Sequence, residues 1–224
     1  MRSVQPVRVV RAAKRYAADV VALDDVSFDV QRGELLALLG PSGCGKSTIL
    51  NLIGCIDTPS SGHIEIDGIV TSALDDDALT ALRREKIGTV FQFFNLLPTL
   101  TVAENVALPL VLQRRPRREI DERVHAVLDR VELSGKYASY PAMISGGEMQ
   151  RAAVARAIVH EPSIVLADEP TGNLDSLRGE LVLGLLRDIA SSGQAIVMAT
   201  HSAEAAARAD RRIHLRDGRI ERMS

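Results

Sequence analysis

The stretch "GPSGCGKST", Gly40 to Thr48, constrains the chain more than any other. An apolar run, "ELLALLG" from Glu34, leads into it, and a helical stretch over Lys46 to Ile56 follows. Glycines at this density let consecutive backbone N–H groups turn toward one anion, and a helix start adds its own unpaired N–H groups and positive dipole end. The spacing Gly40-x-x-x-x-Gly45-Lys46-Ser47 is that of a Walker A phosphate loop. Such a loop sits between a buried strand and a helix, which points to an α/β fold. Lys46 then supplies a point charge to the β- and γ-phosphates of a nucleotide, and the Ser47 hydroxyl is a candidate Mg²⁺ ligand. Gly40, Ser42, Gly43, Cys44, Gly45 and Thr48 complete the candidate nucleotide-binding set. Two readings stand for Cys44: a thiol beside the phosphates, activated by the helix start and Lys46, or a small buried filler.

The rest of the chain reads as strands and helices around that junction. "IVLADE" and "AIVMATH" are continuously apolar like "LLALLG", the pattern of buried parallel strands. "VRVV", "VSFDV" and "HIEIDG" alternate and carry turns at Arg32-Gly33 and Asp67-Gly68, the pattern of an antiparallel layer. "IGTVFQ" and "RIHLRDG" are further strands. Helical spacing recurs over Arg118 to Val131, Gly147 to Val159 and Arg178 to Ala190. Between Gln92 and Tyr140 the chain is loop and helix, with prolines at Pro98, Pro109 and Pro116. The expected architecture is a mostly parallel core sheet with an antiparallel β layer and an inserted α-helical lobe. All belong to one domain over residues 1–224, with a nucleotide-binding core at 1–91 and 160–224 and the lobe at 92–159.

Composition narrows the setting. Lys and Arg number 27 against 29 Asp and Glu, so no basic surplus points to DNA or RNA as the main partner. No apolar run approaches the roughly 20 residues of a membrane span. The start "MRSVQPVRVVRAAKRY" lacks the apolar centre of a signal peptide. Two cysteines, Cys44 and Cys55, make neither a disulfide framework nor a metal-ligand spacing. A cytoplasmic protein is expected.

Four further residues carry chemistry. Asp168 and Glu169 end an apolar strand, and after a phosphate loop such a pair reads as a Mg²⁺-holding carboxylate followed by a general base. His201 ends another buried strand, on the edge where open α/β sheets bind ligands, and suits a γ-phosphate sensor. Gln92 ends "IGTVFQ", where its amide could touch Mg²⁺ and the attacking water; a plain exposed glutamine is the alternative. A second anion site raises a puzzle. "ISGGEMQRAAVARAIVHEP", from Ile144, opens another helix with a serine and two glycines, yet one nucleotide needs one cradle.

The order of the phosphate loop, Gln92, "ISGGEMQR", "IVLADE", "GNLD" and His201 resembles that of ABC transporter ATPase subunits over essentially the whole chain. "ISGGEMQR" is similar to the LSGGQ signature, with Ile144 for the leading leucine, Glu148-Met149 for the usual polar pair, and Ser145, Gly146 and Gly147 intact. "GNLD", ending at Asp175, resembles the D-loop that crosses the family's dimer, and Tyr16 lies where the family stacks adenine, a core tyrosine being the alternative. The resemblance accounts for two cradles: two subunits pack head to tail, and each ATP lies between the Walker A loop of one and the signature helix of the other. "LRREKIGTVFQFFNLLPTLTVAENVALPL" is similar to the subfamily of MacB, LolD and FtsE, which implies a membrane permease as partner, a second ATPase subunit, ATP and Mg²⁺ as ligands, and a peripheral place on the inner membrane face. By that resemblance Phe93 and Phe94 face the permease, or else fill the lobe core. The other classes weighed are a soluble ABC ATPase acting on nucleic acid or ribosomes, a cell-division regulator of the same fold, and a small-molecule kinase.

Two charged runs have simpler expectations. "DDD", Asp75 to Asp77, starts a helix by complementing its dipole. "RRPRR", Arg114 to Arg118, is a solvated loop or a lipid-headgroup contact.

Overall fold

A computed structural model describes residues 4–17 and 20–224. Its centre is a sheet in which the apolar runs become parallel strands: β3 (Leu35–Leu39), β6 (Ile87–Val90), β7 (Ile164–Asp168), β8 (Ala195–Ala199) and β9 (Arg211–Arg216). The antiparallel β10 (Arg219–Met223) completes the order β10-β9-β3-β8-β7-β6. A second sheet, ordered β2-β1-β4-β5, is wholly antiparallel and contains β1 (Val7–Ala17), β2 (Val20–Val30), β4 (Ser61–Ile66) and β5 (Ile69–Val70). The expected parallel core and antiparallel layer are both present.

The continuously apolar runs reflect a sheet buried on both faces. Side chains alternate along each strand, so two cores form. Leu36 and Leu38 join a cluster with Val7, Phe28 and Ile64 of the antiparallel layer, and with Ile49 and Ile53 of the helix α1 (Lys46–Ile53). Leu35 and Ala37 point the other way, into a cluster with the long helices. α1 therefore lies between the sheets, with the phosphate loop at its start.

The helices are α2 (Asp76–Lys86), α3 (Val102–Leu112), α4 (Arg117–Arg130), α5 (Gly146–Ile158), α6 (Ser176–Ser191) and the short α7 (Ala203–Ala207). Asp75 caps α2 by accepting from the Ala78 N–H, with Asp76 and Asp77 in the first turn, as the acidic run implied. α3, α4 and α5 pack on one another beside the sheet edge formed by β6. Of the three prolines of this segment, Pro109 lies inside α3, whose Thr101–Glu104 capping box and buried Val102, Val106 and Leu110 carry the helix through it. "RRPRR" divides: Arg114 is a left-handed turn residue, Pro116 precedes α4, and Arg117 and Arg118 are the first residues of the helix.

Candidate nucleotide site

Three strand ends and one helix start converge on a cleft of about 680 Å³. It is lined by Ser42, Gly43, Gly45, Lys46, Ser47 and Thr48 from the phosphate loop, by Gln92 after β6, by Asp168 and Glu169 at the end of β7, and by His201 after β8. Register explains the convergence. β6, β7 and β8 are parallel neighbours in step, so their carboxyl ends reach one edge together.

The loop shape depends on glycine at two places. Gly45 has φ of 106°, and a Cβ there would lie 2.7 Å from the Ala22 carbonyl oxygen. Gly40 has φ of 147°, and its Cβ would meet the Leu215 carbonyl at 2.3 Å. Lys46 arches back along the loop, its Nζ donating to the carbonyls of Gly40 at 2.7 Å and Pro41 at 3.1 Å.

Ser47 Oγ donates to Asp168 Oδ2 at 3.3 Å. Burial holds the Asp168 carboxyl above its usual range, against the Ser47 hydrogen bond; the neighbouring Glu169 charge adds to the rise and Lys46 opposes it. Glu169 is itself strained, with φ of 46°, and its backbone N–H extends the pairing to Ala199. Its Oε1 lies 2.8 Å from His201 Nδ1, and its Oε2 accepts from Thr200 Oγ1 at 3.2 Å. A carboxylate only accepts, so Nδ1 carries the hydrogen of that bond. The Glu169 side chain is 17% exposed and the His201 side chain 74%. The ring thus stands toward solvent while holding a sheltered carboxylate.

Gln92 packs against Gly172, where a Cβ would fall 2.9 Å from its Nε2. Its own carbonyl accepts from Asn173 Nδ2 at 2.9 Å. Gln150, fully buried, donates to the Phe91 and Pro170 carbonyls, and Arg156 donates to those of Phe94 and Asn95. Neither residue stood out in the sequence. The signal was there, as amide and guanidinium groups inside the apolar run "QRAAVARAIV".

The other sequence-derived positions lie outside this cleft. Tyr16 is 54% exposed on β1, under Lys14 Nζ at 5.0 Å from its ring centre, so it is not a core tyrosine. Gly40 forms the loop without lining the cleft. Cys44 belongs to the loop, but its side chain is 3% exposed and joins the core beneath α1. The activated-thiol reading is corrected on that ground, and the buried-filler reading fits. Ser145 caps α5: it accepts from the Glu148 N–H, and the Glu148 carboxylate reaches back to the Ser145 N–H at 2.8 Å. Gly146 faces the Phe94 ring, and Gly147 faces the Arg178 side chain. Asp175 caps α6 and pairs with Arg178, in a smaller hollow that shares Glu169 and His201 with the main cleft. Phe93 is 72% exposed and Phe94 half-buried.

A glycine cradle at a helix start, a hydroxyl–carboxylate pair and a carboxylate–histidine pair on neighbouring strand ends define a P-loop ATPase. The chain belongs to the ABC transporter family, whose profile matches residues 23–172. It is 46% identical to the uncharacterized ABC transporter ATP-binding protein MJ0796 of Methanocaldococcus jannaschii, over 91% of this chain and 88% of that one. It is 44% identical to the lipoprotein-releasing system ATP-binding protein LolD of Bordetella pertussis, over 91% of this chain and 89% of that one. It is 45% identical to the macrolide export ATP-binding/permease protein MacB of Rhodospirillum rubrum, but spans only 31% of that protein's length. Among solved structures, the MJ0796 cassette in a dimeric post-hydrolysis state with ADP and Pi matches with a TM-score of 0.88 and 43% identity, over 97% of both chains. The present chain is an ATP-binding and ATP-hydrolysing ABC cassette.

Proposed function

We propose that two cassettes of this kind clasp ATP head to tail and drive a separate membrane permease. One observation carries the dimer: the cleft around Lys46 contains no part of Ser145–Gly147, so the second cradle is left to serve another copy's nucleotide. The dimeric MJ0796 cassettes support the same reading. The permease partner follows from the names of MacB and LolD relatives, which are export or release systems. No helix among the described residues is long and apolar enough to cross a membrane, so the membrane part lies in another domain or chain. The cassette then works at the inner face of the membrane. The segment 92–159 is its helical lobe, and exposed Phe93 lies on the side offered to the permease.

In this reading the phosphate loop and Lys46 hold the β- and γ-phosphates, and Tyr16 stacks on the base. Ser47, Asp168 and Gln92 would hold Mg²⁺. Their oxygens suit a hard cation that takes few protein ligands and shares the phosphates, and among the described residues no cluster of three His, Cys, Asp or Glu forms a cage. The ion, when bound, neutralises phosphate charge. Glu169 takes the proton of the attacking water. His201, through its Nδ1–H, fixes the Glu169 carboxylate and stands beside the γ-phosphate. Asp175 lies at the crossing to the partner chain.

The test uses Glu169→Gln as background, which should trap closed ATP dimers. Ser145→Arg and Lys46→Ala should both abolish the dimer on size exclusion. Only Lys46→Ala should weaken nucleotide binding to the monomer, read by fluorescent nucleotide titration at low protein concentration. Equal weakening by Ser145→Arg would mean that the signature helix serves its own chain.

A further inference from the structure

The segment after β6 is held in an unfavourable shape by residues it does not contain. Phe94 and Asn95 are consecutive non-glycine residues with φ of 60° and 50°. L-residues avoid this region because Cβ crowds the following carbonyl. Asparagine tolerates it; a bulky phenylalanine has no local reason to adopt it.

The carbonyls of the segment show what imposes the shape. Phe91 O accepts from the Phe94 N–H and from Gln150. Gln92 O accepts from Asn173 at 2.9 Å, and Phe93 O from the Asn95 N–H. The two left-handed residues turn their carbonyls to one side, where Arg156 takes both: one guanidinium nitrogen donates to Phe94 O at 2.8 Å and the other to Asn95 O at 2.5 Å. A planar fork gives each oxygen its own nitrogen at a fixed spacing. The turn is therefore templated from α5. Gln92 stands two residues before it and lines the nucleotide cleft, while the Phe94 ring lies against Gly146 at the start of α5.

We propose that Arg156 is a positioning residue for ATP hydrolysis: by gripping the Phe94 and Asn95 carbonyls it holds the left-handed turn that aims Gln92 into the cleft. Arg156 acts through Gln92 and touches neither nucleotide nor water. The proposal rests on the role given to Gln92 above.

The experiment is steady-state hydrolysis and nucleotide titration on the full chain. Gln92→Ala runs in parallel, and thermal melting checks folding. Arg156→Ala should leave nucleotide affinity within about twofold and lower kcat by about tenfold or more, since misplacement of a catalytic group costs turnover rather than binding. Arg156→Lys, which keeps the charge but offers one nitrogen without the fork geometry, should fall between. Adding Phe94→Gly and Asn95→Gly to Arg156→Ala should recover about threefold or more in kcat, because glycine adopts the turn without the clamp. That recovery separates positioning from bulk support, and if Arg156→Ala folds poorly the lysine variant carries the same comparison. Normal kcat in Arg156→Ala beside an impaired Gln92→Ala overturns the clamp and leaves the Gln92 role standing. Normal hydrolysis in Gln92→Ala overturns both. Parallel loss of affinity and kcat, with no recovery from the glycines, makes Arg156 an ordinary structural residue.

Discussion

At Gly88 the edge strand and the signature helix lie in close contact. It lies in β6 with ordinary φ, so nothing but space demands glycine there. A Cβ at this position would lie 1.9 Å from the Ala157 carbonyl oxygen and 2.8 Å from its carbonyl carbon, both backbone atoms of α5. In Gly88→Ala the strand and helix must separate by about 1.5 Å to bring that contact from 1.9 Å to an ordinary 3.4 Å. Overpacking of a tight core costs about 1–3 kcal/mol, and a backbone obstacle that cannot rotate away belongs at the upper end. Alanine returns about 0.5–1 kcal/mol by restricting the unfolded chain. The net loss is about 2 kcal/mol, which for a chain of this size lowers Tm by roughly 4–8 °C. Function should suffer as well, because β6 runs into Gln92 and α5 carries Arg156 and Ser145. An ångström of displacement at a catalytic constellation costs kcat up to about a hundredfold. Calorimetry and phosphate release on the purified protein measure both effects. Gly184→Ala is the control: its Cβ meets nothing within 4 Å, and alanine favours a helix interior over glycine, so Tm should hold or rise. If Gly88→Ala melts within 1 °C of the parent at unchanged kcat, the strand and helix give way freely and the reasoning fails.

Further outcomes follow from the site. Glu169→Gln should bind ATP normally and hydrolyse it about 10²-fold more slowly or worse; near-normal phosphate release would remove Glu169 as general base. Asp168 has its carboxyl raised by burial, so the folded state holds more protons between the unfolded and folded values and loses stability as pH rises through that window. Asp168→Asn should therefore raise Tm at neutral pH without nucleotide, with a gain that vanishes in strong acid. A gain that grew on acidification would contradict the sign. Both cysteines should resist thiol reagents until unfolding: Cys44 because it is buried, and Cys55 because burial also pushes its thiol up to about 11, against the charge of Arg83. Rapid labelling of Cys44 in the folded chain would mean that the phosphate loop opens.

What was legible in the sequence was chemistry written into short, contiguous spacings. Gly40 to Ser47, Asp168–Glu169 and His201 each follow a buried strand, and strand-end position is a local property. The cleft formed because β6, β7 and β8 run parallel in step; the apolar runs implied parallel strands for β7 and β8, while the place and register of β6 came only with the structure. α3 was obscured by Pro109, although its buried residues keep helical spacing, because a proline's missing N–H weighs less than a capped, well-packed first turn. β10 was missed because it is an edge strand of exposed, mostly charged residues with no alternating face to read. Gln150 and Arg156 act on backbone some sixty residues away, and no single-segment pattern encodes such a partner.

The capping box at the start of α5 has a consequence for how the proposed dimer would open and close. Glu148 sets a resident carboxylate against the Ser145 N–H, its acidity sharpened by that bond and its charge shared with Lys136 at 3.4 Å. The second cradle is thus not a bare set of donors waiting for an anion. It is a seat with a placeholder, and in the proposed dimer a γ-phosphate arriving from the facing chain would take the place of Glu148 at the Ser145 N–H. When the phosphate departs, the side chain would already be in place to take up the Ser145 N–H again. At the Ser145 N–H such an exchange would trade one hydrogen bond for another on either side of the cycle, which would suit a machine that must let go as readily as it grips.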